Sequence, residues 1–279
     1  GQWTMILLNG KKYYVSSAYV TSKKPASAGA VQTTSQTAAG AQTSGGTAIA
    51  LSSNYKYANY SKINSGTATL YRSTASNKKN KVVCVNAGHG TNGGGSVKTQ
   101  CHPDGSAKVT GGTTGAGATS AVAVSSGMTF ADGTAESKVT LAMAKVLKDK
   151  LLAAGYDVLM IRESDDVQLD NIARTVIANN NADCHIALHW DSTSSNKGAF
   201  FMSVPSNATY RAMEPVASHW KQHNQLGESL ISGLKSAGVK IYSKGSMEMD
   251  LTQTSYSTIP SVDIELGDKA SDHSGATLE

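Results

Sequence analysis

Residues 82–90 read VVCVNAGHG, a β-branched apolar run that breaks into small residues and then presents His89. Four to eight apolar residues bounded by glycine are typical of a strand covered on both faces, as in a parallel sheet. Open parallel sheets bind ligands in the crevice beyond the carboxyl ends of their strands. Because His89 stands at that end, the stretch predicts an α/β fold that presents a histidine to a ligand.

A second stretch of the same kind follows later in the chain. Residues 183–191 read DCHIALHWD, a short apolar run with His189 at its downstream end. Imidazole is a common metal ligand, so two histidines at two strand ends predict a metal site. His185 shares the side of the strand with His189 but lies deeper, and we expect it to be a hydrogen-bonded core histidine.

Besides these two stretches, strand-like and helix-like segments alternate through most of the chain. The predicted helices cover 134–154, 169–180 and 213–237. Further strands are predicted at 156–162, 200–204 and 261–266, and TATLYRS (67–73) is expected to be an edge strand. This alternation predicts an α/β fold with a mostly parallel sheet of about six strands flanked by helices.

The N-terminal part has a different composition. Residues 1–22 hold two β-rich runs around Asn9-Gly10, the strongest short signal for a hairpin, and two strands cannot bury a core alone. Residues 23–54 are rich in Ala, Ser, Thr and Gly without periodicity, which is typical of a flexible linker. We therefore expect the end of a small β domain, a linker, and a main domain over 55–277.

Charge and hydropathy exclude some classes of partner. Lys and Arg exceed Asp and Glu by 25 to 20, but no run of five or six basic residues occurs, so nucleic-acid binding is not favoured. No stretch approaches the roughly 18 apolar residues that cross a bilayer, so no membrane partner is expected. A charged fraction of only 16% with abundant small residues is typical of secreted surface proteins.

The three cysteines, Cys84, Cys101 and Cys184, lack CxxC spacing and predict neither a disulfide framework nor a zinc knuckle. Cys84 and Cys184 stand inside apolar strands and are expected to be buried thiols. Cys101-His102 offers two adjacent ligand types without further partners, which makes a poor metal site.

A carboxylate accompanies the two histidines at the start of the first predicted helix. Apolar residues recur every three to four positions across 134–154, with Thr134 as the expected N-cap. At 100° per residue, Glu136 lies about 20° from Met143 and from Leu147, inside the apolar stripe. A buried carboxylate needs a cation or a metal, whereas the alternative is an exposed first-turn glutamate favoured by the helix dipole.

Other polar residues are weaker candidates. Glu265 stands near the downstream end of the predicted strand SVDIEL, before Gly267, which is a suitable place for a general base. His219 and His223 stand four residues apart but lack the His-Glu-x-x-His form, so surface or packing roles are expected. Arg162 and Arg174 are expected to be either structural or substrate-positioning cations.

A long segment separates the first histidine from the helix. Residues 93–133 are rich in Gly, Thr, Ser and Ala, and inserts of that length are usually functional or mobile. The sequence leaves open whether this segment gates the predicted site or only covers it.

Together these residues resemble the zinc-dependent N-acetylmuramoyl-L-alanine amidases, which are bacterial wall hydrolases, over residues 81–272. The family's strand motif Asp-x-Gly-His-Gly reads NAGHG here, so the resemblance implies His89 as a zinc ligand. It implies Glu136 and His189 as the other two ligands. The closing family pattern P.vlvElG reads IPSVDIELG and implies Glu265 as the catalytic glutamate.

The chain departs from the family pattern at several positions. Asn86 stands where the family usually has Asp, Trp190-Asp191 replaces a small residue and Asn, and Asp268 replaces Phe. These departures concern specificity more than activity, because no ligand is lost. At the N-terminus, residues 1–22 resemble the end of a bacterial SH3-like wall-binding domain.

The resemblance implies a secreted enzyme of the bacterial cell wall with one Zn²⁺ per chain and peptidoglycan as its partner, monomeric by default. It would cleave the amide bond between N-acetylmuramic acid and L-alanine of the stem peptide. The alternatives are a zinc peptidase or carboxypeptidase acting on the stem peptide, and a non-catalytic wall-binding module. A glycosidase using Glu136 and Glu265 is a further alternative, but it leaves both histidines unexplained.

Overall fold

The computed structural model describes residues 45–279 and, near the N-terminus, the backbone of two strands, β1 (Trp3–Leu8) and β2 (Lys11–Ser16). These strands pair antiparallel on either side of Asn9-Gly10, with Leu8 opposite Lys11, which confirms the predicted hairpin. The SH3-like character of residues 1–22 and the linker up to residue 44 lie outside the described residues.

In the described C-terminal part, strands and helices alternate as expected. The strands are β3 (Thr47–Ala50), β4 (Thr67–Tyr71), β5 (Val82–Ala87), β6 (Lys98–Gln100), β7 (Ser120–Val122), β8 (Asp157–Met160), β9 (Cys184–Asp191), β10 (Ala199–Ser203), β11 (Ile241–Glu248) and β12 (Ser261–Asp268). The helices are α1 (Glu136–Ala153), α2 (Asn171–Asn181), α3 (Ala208–Ala212), α4 (Val216–Ser236), α5 (Thr252–Tyr256) and α6 (Gly275–Leu278).

The main sheet has eight strands in the order β11-β10-β12-β9-β5-β8-β4-β3, so the prediction of about six strands was wrong. The four pairs β11/β10, β12/β9, β9/β5 and β5/β8 are parallel, and the other neighbours are antiparallel. The missed strands β3 and β11 are edge strands with largely exposed or half-buried side chains, so they lack a continuous apolar run. β3 lies within the expected linker over 23–54 and pairs with β4 in this sheet.

Helices cover both faces of the sheet, as the buried strands predict. On one face, α1 and α4 pack over apolar side chains of β5, β9 and β12. On the other face, α2 packs against Cys84, Leu159 and Ile161. Cys84 is fully buried as expected, and Cys184 is half-buried.

The first two long helices begin later than predicted. Ala135 is the N-cap residue of α1, and it makes no side-chain capping bond. Thr134 belongs to the preceding turn, because its amide binds Asp132 and its carbonyl accepts the amide of Phe130 at 2.9 Å. The expected capping by Thr134 was therefore wrong. At the start of α2, Asp170 accepts the amide of Ala173 at 2.8 Å and ends the preceding loop.

The segment over 93–133 has structure of its own. It contains a short 3₁₀-helix, Gly94–Ser96, and the antiparallel pair β6/β7. Among the helices that the structure describes, none is long and apolar enough to cross a membrane.

Candidate active site

The carboxyl ends of β5 and β9 bring His89 and His189 together, and the first residue of α1 adds Glu136. Nε2 of His89 lies 2.9 Å from Oε1 of Glu136, and Nδ1 of His189 lies 3.2 Å from the same oxygen. The two imidazoles approach to 3.0 Å between these nitrogens. Within residues 45–279 this is the one cluster of three or more possible metal ligands, with one ligand atom of each residue within 4.8 Å of the others.

Two glycines make this close approach possible. A Cβ at Gly88 would lie 2.2 Å from the His189 ring. A Cβ at Gly127 would lie 2.7 Å from His89 and 2.8 Å from Glu136, and this residue also has a φ of 82°. Each position therefore requires glycine, because any side chain there would overlap with one of the possible metal-binding side chains.

Two buried arginines hold the loop that carries His89. Arg162 donates to the carbonyl oxygens of Ala87 at 3.0 Å and Gly88 at 2.9 Å. Arg174 donates to the carbonyl oxygen of His89 at 2.7 Å, which fixes a residue with a φ of 63°. Burial lowers the pKa of Arg162 to about 10 and that of Arg174 to about 9. Of the two roles left open by the sequence, these contacts support the structural one.

Glu136 is buried and held at both carboxylate oxygens, which rules out the exposed alternative. It is only 3% exposed. Oε2 accepts the amide of Met128 at 2.8 Å, and Oε1 accepts the amide of Trp190 at 3.0 Å. Burial by itself raises the pKa of Glu136, but hydrogen bonds and charge from His189 and His89 lower it well below its usual range. The side chain is therefore an anion at neutral pH.

The segment over 93–133 contributes directly to the ligand cluster. The carbonyl oxygen of Ser125 lies 2.8 Å from Nδ1 of His89, and Met128 supplies the amide that binds Glu136. A metal-binding histidine usually has such a partner on its other nitrogen. This segment is therefore part of the frame of the site and does more than cover it.

Glu265 on β12 lies next to the cluster. Its Cα pairs in register with that of His189 on β9, which puts both side chains on one face of the sheet. Oε2 of Glu265 is buried and has no hydrogen-bond partner in the described part of the chain. Burial, with the nearby Asp263 and Glu136 carboxylates, raises the pKa of Glu265 well above its ordinary value.

Sequence reasoning missed Asp263, two residues before Glu265 on the same face of β12. Its Oδ2 lies 3.5 Å from Nε2 of His189. The available signal was a carboxylate inside the buried strand SVDIEL, at the same alternation as Glu265. Burial by itself lowers the pKa of His189, but the neighbouring carboxylates, above all Asp263, outweigh burial and raise it to about 10.

The cluster has the chemistry and the size of a zinc site. Two imidazole nitrogens and one carboxylate oxygen form a donor set found in catalytic zinc sites, where a fourth position stays open. Tetrahedral zinc with bonds of about 2.05 Å holds neighbouring ligand atoms about 3.3 Å apart. The observed separations of 2.9, 3.0 and 3.2 Å are close to that value. The residues therefore fit a zinc ion.

The cluster opens into a cavity of about 690 Å³. Glu265 and Asp263 of β12 line it together with the ligands, and so does Gln253 of α5. Thr113 and Val124, from the segment over 93–133, form part of its wall. A solvent-connected space next to the possible metal position leaves room for a substrate.

The positions that depart from the family pattern have structural partners. Oδ1 of Asn86 accepts a hydrogen bond from Nη1 of Arg174 at 3.1 Å. Trp190 supplies the backbone amide described above, and its side chain is buried. Asp191 pairs with Lys197 at 2.6 Å beside the cavity. Asn86, Trp190 and Asp191 thus make contacts near the site, and no ligand is lost.

The remaining histidines of β9 and α4 do not reach the cluster. His185 is fully buried as expected, but neither ring nitrogen has a hydrogen-bond partner within residues 45–279, so the predicted hydrogen bond was wrong. Nδ1 of His223 accepts a hydrogen bond from the amide of Ser261 at 3.0 Å, and Nδ1 of His219 lies 2.8 Å from the carbonyl oxygen of Pro215, the N-cap residue of α4. Burial lowers the pKa of both His185 and His223 to about 3.

His102 takes part in a separate network that anchors the segment over 93–133. Its Nε2 lies 3.1 Å from Oδ2 of Asp250, in the loop between β11 and α5. Asp250 also accepts Nζ of Lys108 at 2.9 Å and the amide of Val109 at 2.7 Å. The neighbouring Cys101 is buried. These contacts explain His102 structurally, in keeping with the expectation that Cys101-His102 is a poor metal site.

Comparisons with known proteins agree with this arrangement. The sequence model of the N-acetylmuramoyl-L-alanine amidase family matches residues 83–277. No curated protein matches the chain in sequence. The crystal structure of the amidase Ami1 from Mycobacterium smegmatis is similar, with a TM-score of 0.56 and 18% identity over 73% of this chain and 89% of that chain.

The apo form of Ami1 from Mycobacterium abscessus is also similar, with a TM-score of 0.51 and 21% identity over 71% of this chain and 89% of that chain. At these identities the structures show a shared fold. The family match covers more than half of the chain and includes all four predicted site residues. The chain therefore belongs to the N-acetylmuramoyl-L-alanine amidase family and is a hydrolase of that type, acting on peptidoglycan.

Proposed function

We propose that this amidase uses one Zn²⁺ per chain, held by His89, Glu136 and His189, with Glu265 as the general base. The single observation that carries the proposal is the group of three ligand atoms within 4.8 Å of one another, open to a cavity that Glu265 also lines. The bond cleaved joins the lactyl group of N-acetylmuramic acid to L-alanine of the stem peptide.

The metal ligands, the general base and the two arginines have separate roles in the proposed reaction. Zinc, when bound, polarises the scissile carbonyl and lowers the pKa of water. Glu265 accepts a proton from the attacking water at its unpartnered Oε2 and returns it to the leaving nitrogen. Arg162 and Arg174 keep His89 in place while the substrate is bound.

The cellular setting follows from the substrate. Peptidoglycan lies outside the membrane, so we place the enzyme in secreted form at the bacterial cell wall. An SH3-like wall-binding piece at residues 1–22 would keep the catalytic domain, over 55–277, near its polymer. The catalytic arrangement is complete within one chain, which supports action as a monomer.

Digestion of purified peptidoglycan tests the reaction. We expect the released fragments to contain intact stem peptides with a free L-alanine amino group, identified by mass spectrometry. A chelator should abolish release, and added Zn²⁺ should restore it. Shortened peptides would instead indicate the zinc peptidase or carboxypeptidase, and new reducing sugar ends would indicate a glycosidase. Binding without any cleavage would support the wall-binding module.

A further inference from the structure

Asp263 places a carboxylate where the strand pattern calls for an apolar side chain. The family pattern P.vlvElG has an apolar residue at this position. Here the Asp263 side chain is only 15% exposed, and its Oδ1 is buried without a hydrogen-bond partner in the described part of the chain. A buried carboxylate is costly unless a cation or a hydrogen-bond donor faces it. The relevant partner is therefore the group within reach of its other oxygen.

That group is the imidazole of His189. Nδ1 of His189 points to the ligand cluster, 3.0 Å from Nε2 of His89 and 3.2 Å from Oε1 of Glu136. Nε2, at the opposite edge of the ring, lies 3.5 Å from Oδ2 of Asp263. The ring thus has one nitrogen for the cluster and one for the carboxylate. Asp263 does not compete for the ligand position, because it contacts the other edge.

We infer that Asp263 is a positioning residue, which holds the proton of His189 on Nε2 and keeps Nδ1 free to bind the metal. The inference rests on the proposed zinc site. A carboxylate partner on the second nitrogen fixes the tautomer and orientation of a metal-binding histidine and increases its basicity. It also accounts for the presence of a carboxylate on the buried face of β12.

The two histidine ligands have different partners on their second nitrogens. Nδ1 of His89 lies 2.8 Å from the carbonyl oxygen of Ser125, a neutral acceptor on the segment over 93–133. His189 instead faces the anionic Asp263 on a strand of the sheet. Removing the Asp263 carboxylate should therefore weaken the hold on His189 alone and leave the contact of His89 intact.

Zinc affinity of the full chain is the first test, measured by competition with a chromophoric chelator. We expect Asp263→Leu to bind zinc about 10- to 100-fold more weakly than the wild type. Asp263→Asn should recover part of this loss, because the amide oxygen still accepts a hydrogen bond. The matched control is Asp268→Asn, which alters another buried carboxylate of β12 whose partners lie outside the cluster, and its zinc Kd should equal that of the wild type.

The tautomer of His189 is the second test and needs no variant. Nitrogen-15 spectra of the zinc-loaded wild type should show a proton on Nε2 of His189 and the metal on Nδ1. Metal on Nε2, or a proton on Nδ1, would overturn the inference. Either of these results would overturn the inference even if Asp263→Leu fails to fold.

The outcomes separate this inference from the proposed function. If the wild type binds no zinc, the proposed metal site fails and the inference fails with it. If the wild type binds zinc and folded Asp263→Leu binds it equally well, the positioning role is wrong while the metal site stands. Weaker binding by Asp263→Leu, with part of the affinity restored in Asp263→Asn, supports the role.

Discussion

At the scale of single residues, Glu265 separates metal binding from turnover. Its Oε2 is buried without a hydrogen-bond partner in residues 45–279, and it does not belong to the group of three ligands. We expect Glu265→Gln to retain one zinc per chain but to lose about 10²- to 10⁴-fold in turnover, as for removal of a general base. Metal analysis by mass spectrometry and peptidoglycan digestion measure the two effects. Full activity of this variant would contradict the assignment.

Gly88 tests how tightly the ligands are packed. A methyl group at this position would lie 2.2 Å from the ring of His189, so Gly88→Ala must displace that ligand. We expect loss of bound zinc and of hydrolysis with the fold retained, measured by metal analysis and circular dichroism. The matched control is Gly95→Ala, where nothing lies within 4 Å of the added carbon. Normal zinc content in Gly88→Ala would show that the ligands tolerate more movement than this packing allows.

At the scale of elements, the segment over 93–133 depends on one buried carboxylate. Asp250 binds the side chains of His102 and Lys108 and the backbone of Val109. We expect Asp250→Ala to destabilise the protein by about 3–5 kcal/mol, because it leaves the buried Lys108 ammonium without its carboxylate partner. Faster amide hydrogen exchange in residues 101–114 should accompany this loss.

The same change should also reach the active site. Ser125 and Met128 of this segment contact His89 and Glu136, so a loosened segment should raise the zinc Kd. Asp149→Ala is the control, because that side chain is 72% exposed. If Asp250→Ala leaves both hydrogen exchange and zinc affinity unchanged, the segment is held by other contacts.

Sequence patterns predicted the buried elements better than the edges. The apolar runs of β5, β9 and β12 and the spacing of apolar residues in α1 were sufficient to predict these elements. The edge strands β3 and β11 were missed because most of their side chains are exposed or half-buried, so these strands contain no continuous apolar run. The ends of elements were predicted less accurately, since Thr134 lies in a turn and is not the N-cap of α1.

At the scale of the whole molecule, two buried histidines make stability depend on pH. Burial lowers the pKa of His185 and of His223 to about 3, from an ordinary value of 6.5. Between these values the unfolded chain binds more protons than the folded one. Their contribution to the free energy of unfolding is therefore complete above pH 6.5 and is lost as the pH falls towards about 3.

Replacing His185 measures how much of this pH dependence comes from that histidine. His185→Leu should reduce the slope of the free energy of unfolding in that pH window by about 1.4 kcal/mol per pH unit. Urea unfolding at a series of pH values, with a chelator present throughout, measures the slope without a contribution from bound metal. His219→Leu is the control, because His219 is partly exposed and already bonded to a carbonyl. An unchanged slope in His185→Leu would mean that His185 is protonated in the folded protein.

The sequence by itself determined the fold class and the family, and it predicted His89, Glu136, His189 and Glu265 as the site residues. These features lie in local patterns, such as a strand end, a helix stripe or a short motif, and such patterns are visible within a few residues. The tertiary structure alone decided which partners hold these side chains. Asp263 and Ser125 act through contacts between segments distant in the chain, and hydrogen bonds of that kind leave no periodic signal in the sequence.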